Sequence, residues 1–220
     1  MSSVIDVGPN ASPEELAKAI SQAIAVVQAG GLVVIPTDTS YAVIADAFHV
    51  EAITKLREAK TQPETIALPV AAGSLATIAG VANLSPLAVD LANAFWPGPL
   101  TILTNAQISL SWKIGPSDNA LAIRIPNQTV ALAVLRGIGP TVMTGAQQFS
   151  QAPIMDIQSA QESLGDAVEM YLDAGPCETP NSTIVDASGE HLRLVRAGKL
   201  SLAQLREVLP MMIDATTRIS

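Results

Sequence analysis

The stretch Val33-Val34-Ile35-Pro36-Thr37-Asp38-Thr39-Ser40-Tyr41-Ala42-Val43 constrains the fold more than any other. Its β-branched start reads as a buried strand. Pro36 ends that strand, because proline has no N–H to give to a ladder. Four hydroxyls and a carboxylate follow within five residues, and an apolar run resumes from Ala42 to Ala47. Small polar groups at the C-terminal end of a strand are well placed to hold a ligand in an open α/β sheet. Thr, Asp and Ser also favour turns for purely local reasons. On this stretch alone the turn reading is favoured.

The rest of the chain supplies the layers around that strand. Ser12-Pro13-Glu14-Glu15 is a capping box with proline at the first helical position, and Gly30-Gly31 stops the helix after Ala29. Helices are also expected over 49–60, 74–79, from 85 to about Trp96, and over 129–137, 157–164 and 201–209. Strands are expected over 66–72, 100–104, 120–125, 141–144, 168–173, 183–186 and 192–196, and a loop over 106–119. Alternating strands and helices argue for an α/β fold: one domain with a twisted, mixed, largely parallel open sheet and flanking helices. The domain is expected over 12–209, with 1–11 and 210–220 as terminal extensions and their ends loose.

Composition narrows the function classes. The chain is 49% apolar but 3% aromatic, so aliphatic side chains must fill the core. A net charge of −8 argues against broad nucleic-acid binding, which needs many Lys and Arg contacts, so weak or no direct RNA binding is expected. A small local basic cleft for a nucleotide stays compatible with that charge. The single cysteine, Cys177, rules out an internal disulfide and fits a reducing cytosol. The first ten residues show no signal peptide, and Ala17–Pro36 is too interrupted to span a membrane. A cytoplasmic location without membrane association is the expectation. There is no phosphate-binding glycine loop and no nucleophile elbow. Two histidines and one cysteine cannot build the usual zinc site, so no metal ligands are assigned.

What remains is dispersed. Thr37, Asp38 and Thr39 follow the first strand, Lys60 ends a helix, Arg124 ends a strand, Ser182-Thr183 opens one and Arg196 closes the last. Three cations at element ends, in a chain with only 12, suggest an anion pocket for phosphate or carboxylate. Taken singly, each is better explained as an ordinary surface cation capping carbonyls.

Order and spacing change that weighting. Pro36-Thr37-Asp38-Thr39-x-Tyr41, Glu58-Ala59-Lys60, Trp96-Pro97-Gly98-Pro99-Leu100-Thr101, Arg124-Ile125-Pro126, Ser182-Thr183-Ile184-Val185-Asp186 and Arg196-x-Gly198 follow one another without a large gap. This series resembles the YrdC-like family of threonylcarbamoyl-AMP synthases over roughly residues 12 to 209. The resemblance implies a nucleotidyltransferase with a concave, electropositive cleft. It would join L-threonine, bicarbonate and ATP, usually with Mg2+, into threonylcarbamoyl-AMP and pyrophosphate. The product would serve N6-threonylcarbamoyladenosine modification of tRNA, with modification proteins as partners.

The resemblance also implies roles. Thr39, Arg124 and Ser182 match the threonine-binding side. Lys60 and Arg196 match cations of the nucleotide side, with Lys60 the catalytic candidate. Gln62 and Gln147 stand at nucleotide-binding positions where the family usually has Arg and Asn, and Gly145 stands where it has Ser. Tyr41 is followed by Ala42 rather than the usual glycine, and Ala67-Leu68 stands where proline-leucine is usual. Losing a charge-assisted phosphate contact costs roughly 1.5–3 kcal/mol, although both glutamines can still donate neutral hydrogen bonds. The alternatives are therefore a divergent paralogue, either a carbamoyl-adenylate-type transferase or a non-catalytic binding module.

Overall fold

The computed structural model describes residues 2–110, 112–116, 120–178 and 181–215. Parts of the expected loop at 106–119 (residues 111 and 117–119) and of the expected terminal extensions (residues 1 and 216–220) lie outside the described residues.

In chain order the elements are β1 (Ser3–Asp6), α1 (Pro13–Gln28), β2 (Val33–Ile35), β3 (Ala42–Asp46), α2 (Val50–Lys60), β4 (Val70–Ala71), α3 (Leu75–Ala79), β5 (Ala82–Asn83), α4 (Pro86–Phe95), β6 (Leu100–Ala106), β7 (Ala120–Arg124), α5 (Thr129–Ile138), β8 (Thr141–Gly145), α6 (Ile157–Leu164), β9 (Met170–Asp173), β10 (Thr183–Asp186), β11 (Arg193–Arg196), α7 (Leu202–Val208) and β12 (Ile213–Asp214). The strands form one mixed sheet in the order β1-β9-β2-β3-β8-β4-β7-β6-β10-β11-β12, with β5 on β6.

The single-domain α/β expectation holds, but the largely parallel pairing does not. The pairs β2–β3, β3–β8, β8–β4, β7–β6 and β10–β11 are antiparallel. The reason lies in the opening stretch. The polar turn after Ile35 carries no helix, so the chain returns beside β2 rather than crossing over to a parallel position. The apolar run from Ala42 is that returning strand.

Both faces of the sheet are covered, which explains why β2 and β3 are apolar without alternation. Val34, Val43 and Ala45 point to one core with Leu56 of α2, Leu91 of α4 and Ala160 of α6. Val33, Ile35 and Ile44 point to the other with Ala23 of α1 and Val134 of α5. The capping box at Ser12 forms as expected, Glu15 bonding back to the Ser12 N–H at 2.8 Å.

Two other expectations are corrected. Only Val70–Ala71 of the expected 66–72 strand joins the sheet. Pro69 lacks a ladder donor, and the Leu68 N–H goes instead to Ile114 O at 2.7 Å. The termini are not loose where described. β1 pairs with β9, and β12 pairs with β11 at the opposite edge. Val7 and Met212, buried at 5% and 2% exposure, anchor these edge strands.

Tyr41 joins the opening turn to the far end of β9. Its hydroxyl donates to Gly175 O at 2.7 Å and accepts from the Ala174 N–H at 3.0 Å, while the ring is fully buried. Tyr41→Phe removes the partner of a half-buried carbonyl and a half-buried N–H, so it should lower unfolding stability by about 1–2 kcal/mol. Urea denaturation should show a lower midpoint at an unchanged slope.

Candidate functional site

A cavity of about 510 Å³ opens where the turn after β2, the ends of β7 and β8, and the start of β10 converge. Thr39, Lys60, Gln62, Arg124, Gln147, Ser182 and Arg196 all line it. The structure therefore brings together every site residue expected from sequence.

Arg124 is bonded through all three of its nitrogens. It closes β7 and is buried at 8% exposure. Nη2 donates to Asp38 Oδ1 at 2.6 Å, Nη1 to Thr39 Oγ1 at 3.0 Å, and Nε to Gly98 O at 3.2 Å. Burial lowers its pKa, the Asp38 carboxylate opposes that shift, and the Arg196 charge adds to it. The turn is further fixed by its own hydroxyls. Thr37 Oγ1 donates to Ser40 O at 2.7 Å and accepts from the Thr39 N–H at 3.1 Å. So the turn reading was right about bonding, and the same bonds aim Thr39 into the cavity.

Asp38, which the sequence places in the opening stretch without a site role, is the ion-pair partner of Arg124. The signal was its place in Pro36-Thr37-Asp38-Thr39, since a carboxylate there can meet a strand-end arginine. Its second oxygen, Oδ2, is buried and has no hydrogen-bond partner among the described residues. Thr101 was missed too. Its hydroxyl lies 2.9 Å from Ser182 Oγ, and it falls in the Pro99-Leu100-Thr101 run that leads into β6.

Ser182 and Arg196 form one unit. Arg196 Nη2 donates to Ser182 O at 2.9 Å and to Ser182 Oγ at 3.1 Å. Burial lowers the Arg196 pKa. Gly198 explains the Arg-x-Gly spacing, since a Cβ there would lie 2.4 Å from the Ser182 carbonyl carbon.

Lys60 ends α2 and is buried at 3% exposure. Its ammonium donates to the carbonyls of Gly145 and Gln147 at the exit of β8. Burial pushes it down to about 8. Thr61 follows in the left-handed region at φ 49°, which turns the chain and sets Gln62 on the cavity wall. Outside the cavity, His49 caps α2 through Nδ1, as a packing histidine would. Cys177 is a free, half-buried thiol whose pKa is raised by burial.

The sequence model of the Sua5/YciO/YrdC family, described as telomere recombination, matches residues 25–198. The chain belongs to that family. A Mycobacterium tuberculosis protein provisionally named threonylcarbamoyl-AMP synthase is 39% identical over 201 residues, covering 90% of this chain and 93% of the relative. The Bacillus subtilis threonylcarbamoyl-AMP synthase is 27% identical over 200 residues, covering 89% of this chain but 58% of its own length. Among solved structures, P. abyssi Sua5 complexed with L-threonine superposes with a TM-score of 0.87 at 24% identity. That match covers 97% of this chain and 62% of Sua5, and it shows a shared fold. The Sua5/YciO/YrdC fold thus accounts for the mixed sheet found here.

Two outcomes follow from the site's electrostatics. Asp38→Ala leaves a buried guanidinium without its counter-charge and should cost about 3–5 kcal/mol, whereas Asp38→Leu with Arg124→Met should recover much of the loss. Equilibrium denaturation of the two variants checks this. The Lys60 ammonium is charged below about 8, so affinity for an anion such as pyrophosphate should fall as pH rises through that value. Lys60→Arg should remove this step in calorimetric titrations, because a guanidinium keeps its proton.

Proposed function

We propose that this member of the family forms threonylcarbamoyl-AMP from L-threonine, bicarbonate and ATP. One observation carries the reading: residues scattered from 39 to 196 converge on one cavity lined by hydroxyls, carboxamides and the cations Lys60, Arg124 and Arg196. The named relatives support it.

On this reading, Arg124 and Ser182 receive the threonine carboxylate and Thr39 faces its side chain. Bicarbonate takes up a proton and loses water to give carbon dioxide, which the threonine amine captures as a carbamate while giving up a proton. A carbamate oxygen then attacks the α-phosphorus of ATP, the bond to the β-phosphate bridging oxygen breaks, and pyrophosphate leaves. No side chain has to form a covalent bond. The protein's contribution is positioning and compensation of phosphate charge by Lys60, Gln62, Gln147 and Arg196. Among the described residues no cluster of three or more His, Cys, Asp or Glu could hold a metal ion. A magnesium ion that enters with ATP would therefore be carried by the phosphate oxygens. The product would pass to enzymes of tRNA threonylcarbamoyladenosine modification.

A second reading, binding of L-threonine without turnover, is favoured by one feature. Two of the three Lys60 ammonium donors are taken by main-chain carbonyls, which leaves one for phosphate. Pyrophosphate release with L-threonine, bicarbonate and Mg-ATP separates the two. The synthase reading predicts threonine-dependent release that drops about 10²–10³-fold in Lys60→Ala. Release no greater than in that variant overturns it, and threonine binding without release establishes the second.

A further inference from the structure

The exit of β8 is held from both sides. Gly145 pairs with Ala42 in the sheet, the Ala146 N–H donates to Tyr41 O at 3.0 Å, and the Gln148 N–H donates to Ser163 Oγ at 3.2 Å. Lys60 grips the carbonyls of Gly145 and Gln147 from the cavity side. This backbone has little freedom to move.

Over it lies the Gln147 carboxamide. A Cβ at position 145 would stand 2.2 Å from Gln147 Oε1 and 2.8 Å from Cδ and Nε2. The carboxamide thus occupies space that exists only because residue 145 is glycine. Conformational freedom is not the reason for that glycine, since its φ is outside the left-handed region. Gln147 Oε1 is buried and has no partner among the described residues, and Gln147 lines the cavity.

We infer that Gly145 is a specificity-determining position that acts through Gln147, seating its carboxamide so that Nε2 donates to an acceptor-rich ligand on the nucleotide side of the cavity. Naming that ligand as the phosphates of ATP rests on the reading above. The coupling between 145 and 147 rests on the geometry alone. Any side chain at 145 displaces the end of Gln147 rather than the fixed backbone, so the two positions cannot be exchanged independently.

Two measurements test this. First, the side-chain amide of Gln147, identified in 15N-labelled protein by its loss in Gln147→Asn, should shift clearly in Gly145→Ala. An unmoved resonance overturns the inference. If Gly145→Ala fails to fold, adding Gln147→Ala should restore folding, and failure to restore it places the clash in the backbone and overturns the inference equally. Second, ATP affinity by calorimetry should fall about tenfold in Gly145→Ser, yet change less than about threefold when Ser replaces Gly145 in the Gln147→Asn background. Equal losses in both backgrounds overturn the coupling. A wild-type protein that does not bind ATP removes the nucleotide assignment, and the amide resonance then decides the coupling by itself.

Discussion

A guanidinium buried at the end of β7 needs a partner, and the placement of Asp38 opposite Arg124 answers that need. A lone charge at that depth would cost several kcal/mol. The ion pair fastens the turn after β2 to the far strand, and it does so across residues that sequence separates by 86. Thr39 is aimed by the same guanidinium. The pair uses only part of Arg124's donor set, so the remaining N–H groups can meet a carboxylate. One interaction therefore closes the fold at this point and prepares the cavity for an anion.

The sheet makes that arrangement affordable. The β2–β3 return is apolar on both faces from Val33 to Ile35 and from Ala42 to Ala45 and is sandwiched between two cores, so its polar groups gather in the turn and at Asp46. Tyr41 holds one side of the turn against β9, and Arg124 holds the other. Lys60 works the same way on the opposite wall, tying the end of α2 to the exit of β8. Each charged group buried around the cavity is satisfied by main chain or by an opposite charge from another element. The two buried side-chain atoms without partners among the described residues, Asp38 Oδ2 and Gln147 Oε1, stand at the turn and at the β8 exit.

Much of this was legible in the sequence because local chemistry and global fold agree. The Ser12 capping box, Pro36 as a strand end and Gly30-Gly31 as a stop each act through nearby backbone. The five residues that the ordered motifs mark, Thr39, Lys60, Arg124, Ser182 and Arg196, all line one cavity, since each sits at or beside an element end that sequence marks. Pairing direction was not legible, because it depends on the missing helix between Ile35 and Ala42 rather than on either strand's composition. Pro69 shortened β4 through a tertiary bond from Leu68 to Ile114 that no local pattern encodes. Asp38 and Thr101 were overlooked as site residues because their partners, Arg124 and Ser182, are distant in sequence.

The central claim is that the Arg124–Asp38 unit floors an amino-acid pocket with the nucleotide site beyond it. A crystal structure with L-threonine and a non-hydrolysable ATP analogue tests it most directly. The threonine carboxylate should lie within hydrogen-bond distance of Arg124 and Ser182, with phosphate oxygens near Lys60, Gln62 and Gln147. Threonine bound outside this cavity, or held with its carboxylate away from Arg124, would contradict the claim.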